Sequence, residues 1–211
     1  MTLATNALTT VATVNSDLGI SGEDTYIERL INVASDFVER YCGRAFWRDT
    51  AIVEQVPGFG WSHLIVARAP INSITSIVRD GSTIPAADYE SLGEDAAGGL
   101  IYRQGGWAWD AMRANDISNT PVAGTERRLH VVTYDGGWYT PKQDDDSSGA
   151  NARALPYDIE EAAVEIVRQM YLAKKRDPGI ASESMLGWSA SYTAAQMSPR
   201  VRLILAGYRR L

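Results

Sequence analysis

The sequence has few of the residues that most often carry chemistry in proteins. It contains one cysteine and two histidines. Cys42 has no second cysteine with which to form a disulfide in the chain, and its place on the apolar side of a predicted helix favours a buried, inert thiol. His63 and His130 lie in separate β-like runs without the spacing of a metal site. We therefore expect both histidines to be ordinary strand residues, and we expect no metal ion.

Motifs for catalysis and cofactor binding are also missing. No GxSxG elbow, GxxxxGK[ST] loop or dinucleotide-type glycine fingerprint follows a predicted strand. Glu160 and Glu161 are adjacent on a predicted helix, so their side chains diverge and cannot converge on one substrate bond. We expect no catalytic residue and no cofactor, and a cell-wall-degrading enzyme remains a minor alternative.

Long apolar runs and an excess of basic residues are missing too. No run approaches the roughly 20 residues of a membrane-spanning helix, and the first residues lack the pattern of a signal peptide. We therefore expect no membrane contact and a chain that stays in the cytoplasm where it is made. With 26 acidic and 20 basic residues the net charge is −6, which argues against a protein whose main task is to grip phosphate backbones.

The apolar pattern predicts helices at both ends of the chain, over residues 9–18, 22–42, 157–176 and 199–208. The clearest is the second, where apolar residues recur at steps of three and four from Ile27 to Tyr41 before Gly43. The segment 142–150 is polar and contains Asp144, Asp145 and Asp146, so it predicts a mobile acidic loop.

Between these helices, residues 47–139 predict a β-rich insertion. Short runs rich in Ile, Val and Tyr alternate with turn glycines and with Asp80-Gly81. No linker marks a boundary, so we expect a single domain over residues 1–211. The predicted fold class is mainly α, a helical-bundle core with an inserted small β subdomain, and α+β overall.

Six tryptophans are the least ordinary feature of the composition. Most lie in the β-rich segment beside glycines, and Trp107, Trp109 and Trp138 are the candidate interface aromatics. Tryptophan is enriched in the binding hot spots of protein interfaces, but packing of a small β core explains these residues equally well. A stacking surface for a carbohydrate or another ligand is a third interpretation.

Several motifs then follow one another in a characteristic order. They are the long helix ending in Tyr41-Cys42-Gly43-Arg44-Ala45-Phe46, the pair Ala69-Pro70-Ile71 and Ile74-Thr75-Ser76-Ile77, the segment from Val131 to Trp138, and Leu155-Pro156 before Ala162-Ala163. In this order, over most of residues 8–176, they resemble the head-tail connector (adaptor) family of tailed bacteriophages. The ending Ser189-Ala190-Ser191-Tyr192 and Ser198 to Leu205 is similar to that of many connectors. Residues 103–127 and 140–152 look longer than the family's usual connections.

The resemblance implies a structural protein of the virion neck that is made in the host cytoplasm. It implies a ring of copies, a dodecamer, beneath the portal protein, with the next neck or tail protein on its other side. DNA would pass through the ring without specific binding. Another neck component, a stopper or tail-completion protein, is the nearest alternative, and a Trp-rich ligand- or carbohydrate-binding module is a more distant one.

The same resemblance assigns roles to particular residues. The C-terminal tail, residues 180–211, is the expected portal-binding part. For the acidic loop with Asp144, Asp145 and Asp146 no contact can be carried over from the family, because residues 140–152 look longer than its usual connections. From its charge alone we expect this loop to face the channel or a neighbouring copy. The portal-binding candidates are Trp188, Tyr192, Arg202, Tyr208, Arg209, Arg210 and Leu211.

Overall fold

A computed structural model describes residues 2–108, 129–147, 154–174, 182–185, 188–191 and 197–209. The chain divides into two compact units. The first, here the helical unit, combines Met1–Trp47 with Trp138–Leu211, and the second, the sheet unit, is Arg48–Gly137. No helix among the described residues is long and apolar enough to cross a membrane.

The described helices lie mostly near the two ends of the chain. They are α1 (Val11–Leu18), α2 (Asp24–Cys42), α3 (Gly93–Gly98), α4 (Pro141–Asp146), α5 (Tyr157–Lys174) and α6 (Pro199–Ala206), with a short 3-10 helix at Ala86–Asp88. The strands are β1 (Asp49–Val56), β2 (His63–Ile65), β3 (Ile71–Arg79), β4 (Ser82–Thr83), β5 (Leu100–Tyr102), β6 (His130–Gly136), β7 (Ser182–Met185) and β8 (Trp188–Ser191).

The helical unit is built around the packing of α2 on α5. One face of α2 carries Ile27, Ile31 and Val38, all fully buried, and it packs against the buried face of α5. Burying each such side chain contributes about 1.5–3 kcal/mol. The helix ends at Gly43, whose φ of 67° lets the cap N–H bond the carbonyl of Glu39.

The sheet unit contains a four-stranded antiparallel sheet with the order β1-β6-β3-β4. Buried and half-buried residues alternate along β6, so one face of the sheet covers a separate core. β2 and β5 form a second, two-stranded sheet. The buried members of this core are Val56, Leu64, Val66, Ile71, Ile77, Ile101, Trp107, Val132 and Tyr134.

The prediction of a mainly α fold built on a helical bundle was wrong. The described residues combine helices with a four-stranded antiparallel sheet and a two-stranded sheet in the sheet unit, which makes an α+β protein. The reason lies in strand pairing between distant residues. β1 pairs with β6 antiparallel, from Val56 opposite His130 to Asp49 opposite Gly136. The resulting sheet covers a hydrophobic core of its own.

The acidic segment also differs from its predicted form as a loop over residues 142–150. Pro141–Asp146 is helical because Thr140 and Gln143 form a capping box, with the Thr140 hydroxyl accepting from Gln143 N–H and the Gln143 side chain accepting from Thr140 N–H. Pro141 at the first helical position adds a fixed φ. Residues 148–150 of the predicted loop lie outside the described residues.

Candidate partner-binding surfaces

The last helix presents an exposed face next to a buried one. Ser198 caps α6 by accepting a hydrogen bond from Val201 N–H, and Val201 and Leu205 are buried in the helical unit. Arg202 is exposed, and Leu203 is 79% exposed. This exposed face of α6 is a candidate contact with a partner protein.

The residues after α6 are held against the helical unit. The hydroxyl of Tyr208 donates to Asp158, and its ring meets the Phe46 ring edge-on with centroids 6.1 Å apart. Burial, and then the hydrogen bond to Asp158, raises the pKa of Tyr208 to about 12. The Arg209 guanidinium lies 5.9 Å from the centroid of Tyr41.

Three of the predicted portal-binding residues lie in the described part of the C-terminal end of the chain. Arg202, Tyr208 and Arg209 lie on or directly after α6. We call the exposed Arg202, Leu203 and Arg209 the C-terminal surface. Trp188 lies in β8, whose backbone alone is described, while Tyr192, Arg210 and Leu211 lie outside the described residues.

Trp138 is part of a stacked cluster in the helical unit. Its ring stacks on Phe46 with centroids 5.9 Å apart, and the Arg44 guanidinium lies 5.1 Å from the Trp138 centroid. The backbone joins the same residues, because Trp138 N–H donates to the Phe46 carbonyl at 2.8 Å. Trp138 is therefore half-buried and packs within the helical unit. Only the exposed part of its side chain could contact a partner.

Trp107 corrects the prediction of an interface residue, because it is fully buried in the sheet unit. Its indole N–H donates to the carbonyls of Ile101 at 2.9 Å and Ser62 at 3.1 Å. The ring meets His130 edge-on at 5.3 Å. With its polar atom satisfied and its ring enclosed, Trp107 is a core residue. Trp109 lies outside the described residues.

His130 beside it is fully buried as well, and neither ring nitrogen has a hydrogen-bond partner of good geometry among the described residues. Burial, with the positive charges of Arg79 and Arg103, lowers its pKa, while the Val56 backbone and Asp80 act in the opposite direction. A neutral imidazole in this place serves the core. The described residues contain no group of three or more metal-ligating side chains.

Sequence reasoning missed an exposed aromatic pair, the Phe59–Trp61 pair. Trp61 is 64% exposed and Phe59 44%, and their rings lie 5.7 Å apart. Backbone hydrogen bonds hold this loop to Trp107, from Gly60 N–H to the Trp107 carbonyl and from Trp107 N–H to the Trp61 carbonyl, both at 2.8 Å. The buried tryptophan thus supports the exposed one. The signal in the sequence was Gly58-Phe59-Gly60-Trp61, two aromatic residues that each follow a glycine and lie outside any strand pattern.

The three aspartates of the acidic segment lie on α4. Asp145 and Asp146 are exposed and Asp144 is half-buried. Lys142 donates to Asp146 Oδ1 at 2.6 Å, one turn along the helix. An exposed pair of this kind contributes little to stability, about 0.3–0.5 kcal/mol, but it reduces the negative charge that this helix presents.

Three solved structures with a similar fold come from a gene transfer agent particle. The neck of an empty gene transfer agent (GTA) particle, computed with C6 symmetry, matches at a TM-score of 0.57 and 16% identity, over 100% of this chain and 94% of that chain. The neck of the native particle, computed with C12 symmetry, matches at a TM-score of 0.56 and 16% identity, over 100% of this chain and 93% of that chain. The chain shares its fold with these two neck chains. A chain from the virion of the native particle matches at a TM-score of 0.58 and 15% identity, over 100% of this chain and 94% of that chain.

The similarity of fold to these chains supports the resemblance to head-tail connectors noted in the sequence. Because the identity is 15–16%, the likeness is one of fold. No protein-family model and no curated protein matches the chain.

Proposed function

We propose that the chain is a structural subunit of the neck of a phage-like particle, the adaptor that joins the DNA-filled capsid to the tail. The observation that carries this proposal is the extent of the shared fold, 100% of this chain and 93–94% of the neck chains. The helical unit and the sheet unit are thus matched together, in one chain of a neck. The proposed site of action is the neck of the virion, after assembly in the host cytoplasm.

In this proposal copies of the chain form a ring through which DNA passes. The similar necks were computed with C6 and C12 symmetry, and we propose a dodecamer here. A cyclic ring requires each copy to contact its neighbours through two different surfaces. A net charge of −6 per copy, repeated around a channel, repels phosphate and lets DNA move without being held. Asp145 and Asp146 are candidates for that lining or for a contact with a neighbouring copy.

The C-terminal surface is the proposed contact with the portal protein. It combines the exposed apolar side chain of Leu203 with the exposed cations of Arg202 and Arg209. The contact of Tyr208 with Asp158 holds the end of the chain in place before a partner arrives, which lowers the entropic cost of binding. Its partner surface would be apolar with an acidic rim.

The Phe59–Trp61 pair is the proposed contact with the next neck or tail protein. Aromatic side chains on a loop held by backbone hydrogen bonds are typical of binding hot spots. A carbohydrate-binding role for the tryptophans is less favoured, because Trp107 is buried and has no stacking face to offer. A stopper or tail-completion role remains the alternative within the neck. The proposed role is structural and needs no catalytic residue.

A reconstitution experiment tests the proposal. The purified chain is mixed with a candidate portal ring, and the products are measured by native mass spectrometry and electron microscopy. We expect a ring of copies seated on the portal. Leu203→Glu together with Arg202→Glu should abolish seating, whereas Trp61→Ala should seat normally and fail to recruit the next neck protein. A chain that stays monomeric and ignores the portal would contradict the adaptor role.

A further inference from the structure

An open cleft of the sheet unit lies between the short 3-10 helix and the segment after β5. Its volume is about 490 Å³, within the size range of ligand-binding clefts. Residues 88–90 line one side of it and residues 102–105 line the other. Two backbone hydrogen bonds join the two sides, from Glu90 N–H to the Tyr102 carbonyl at 3.0 Å and from Tyr102 N–H to the Glu90 carbonyl at 2.8 Å.

A carboxylate and an aromatic ring lie next to each other in this cleft. Because Glu90 and Tyr102 are directly opposite each other in an antiparallel bridge, their side chains project on the same side of it. Tyr102 is half-buried, and its ring centroid lies 5.4 Å from that of His63. Glu90 is exposed and has no ion pair among the described residues. An aromatic ring beside a carboxylate can bind a cationic side chain through both groups.

The protein holds one of its own cations in the same manner beside the cleft. The Arg103 guanidinium lies 5.6 Å from the centroid of Trp107 and 3.6 Å from the Asp88 carboxylate. Asp88 is thus already paired, and Glu90 leaves one negative charge in the cleft for a partner. The chain around it adds to this charge, because residues 80–102 contain five acidic residues and no lysine, arginine or histidine. The local charge therefore favours a cation.

The cleft and the Phe59–Trp61 pair border the same stretch of backbone. Arg103, which lines the cleft, donates its N–H to the Ser62 carbonyl at 2.8 Å, and Trp107 N–H donates to the Trp61 carbonyl at the same distance. The segment that lines one side of the cleft therefore runs alongside the loop that carries the aromatic pair. A protein seated on the exposed aromatic rings can reach the cleft with a neighbouring side chain.

We propose that the cleft accepts an arginine side chain of the protein that contacts the Phe59–Trp61 pair, the next neck or tail protein. This inference rests on the proposed function. The guanidinium would stack on Tyr102 and pair with Glu90, while an apolar residue of the same partner covers Trp61. Arginine fits better than lysine, because its planar group stacks on an aromatic ring and pairs with a carboxylate at the same time. Aromatic and arginine anchors are also the commonest members of binding hot spots.

Binding of a free arginine side chain tests the cleft by itself. N-acetylarginine amide is titrated into the full chain and the backbone amide signals are followed by NMR, with N-acetylcitrulline amide as an uncharged control of similar shape. We expect the signals of Glu90, Tyr102 and Gly105 to shift with the arginine compound alone. Glu90→Gln should abolish these shifts. Glu94→Gln, which removes an exposed carboxylate outside the lining of the cleft, should preserve them. Equal shifts with both compounds would overturn the proposal.

Affinity for the next neck protein provides the second test. It is measured on the assembled ring by isothermal titration calorimetry at low salt. We expect Glu90→Gln to weaken binding about fivefold, the size of an exposed contact with a cation. Glu90→Arg should weaken it further through repulsion, and Glu94→Gln should bind as the natural chain does. Because Glu90 is exposed, these variants should keep the circular dichroism spectrum of the natural chain.

The outcomes separate this inference from the function on which it rests. If the ring recruits its partner through Trp61 but Glu90→Gln changes neither the NMR shifts nor the affinity, the assignment of the cleft is wrong and the neck role stands. If Glu90→Gln instead prevents ring closure, the occupant is a second copy, and the assignment to the next neck protein is overturned. If no ring forms although N-acetylarginine amide binds, the neck role and the partner named here fail together.

Discussion

The hydroxyl group of Tyr208 donates to the carboxylate of Asp158, at 2.9 Å from Oδ1 and 3.0 Å from Oδ2. Asp158 also accepts from Ile159 N–H at 2.9 Å, at the start of α5. One carboxylate thus joins the end of the chain to the first turn of a core helix. The geometry of the C-terminal surface depends on this contact, since Arg209 follows Tyr208 directly.

We expect Tyr208→Phe to lower the free energy of unfolding by about 1 kcal/mol, because a hydrogen bond to a charged but partly solvated group is lost. Urea denaturation measures the change. Tyr157→Phe is the control, since Tyr157 is 80% exposed and its loss of a hydroxyl should change stability by less than about 0.5 kcal/mol. Equal effects of the two substitutions would contradict the role assigned to Asp158.

We expect the stability of the sheet unit to fall as the pH drops below 6.5, the ordinary pKa of histidine. The pKa of His130 is lowered in the folded state, so the unfolded chain binds the proton more readily and protonation favours unfolding. The loss begins near the unfolded pKa and is complete once the pH is below the folded one. Urea denaturation between pH 8 and pH 5 should show this slope.

His130→Leu should remove most of that pH dependence, because the titrating group is gone. His63→Leu is the matched control, since the His63 side chain is 39% exposed. If the dependence of stability on pH persists in His130→Leu and disappears in His63→Leu, its assignment to His130 is wrong.

We expect Trp107→Ala to destabilise the protein by about 3–5 kcal/mol, the usual cost of removing a large buried aromatic side chain. The substitution also removes the indole N–H that donates to the carbonyls of Ile101 and Ser62. Trp61→Ala should cost less than about 1 kcal/mol, because Trp61 is mostly exposed. Thermal unfolding followed by circular dichroism compares the two, and a similar loss in both would show that Trp107 is not a core residue.

We expect Gly58→Ala to destabilise the sheet unit by about 1–3 kcal/mol, as overpacking does. A Cβ at Gly58 would lie 2.0 Å from the backbone oxygen of Ala108 and 2.7 Å from Cε1 of His130. A Cβ at Gly105 would meet nothing within 4 Å, so Gly105→Ala is the control. Chemical denaturation distinguishes them, and a harmless Gly58→Ala would mean that the loop carrying the Phe59–Trp61 pair is not packed as described.

Features that depend on near neighbours in the chain could be predicted from the sequence. The apolar spacing from Ile27 to Tyr41 and the glycine at 43 predicted α2, which the structure has as Asp24–Cys42. Ser198 and Pro199 predicted the start of α6. Periodicity and capping act within a few residues, so the local sequence contains the information.

Other features depend on contacts between distant residues, and only the tertiary structure decided them. Val56 pairs with His130 across the sheet, and no short-range pattern in the sequence predicts that pairing. Trp61 and Trp107 both stand beside glycines in the sequence, yet one is 64% exposed and the other fully buried. What separates them is the enclosure of Trp107 between Ile101, Ser62 and His130. Composition makes a tryptophan costly to leave in water, but only the assembled fold determines which one is covered.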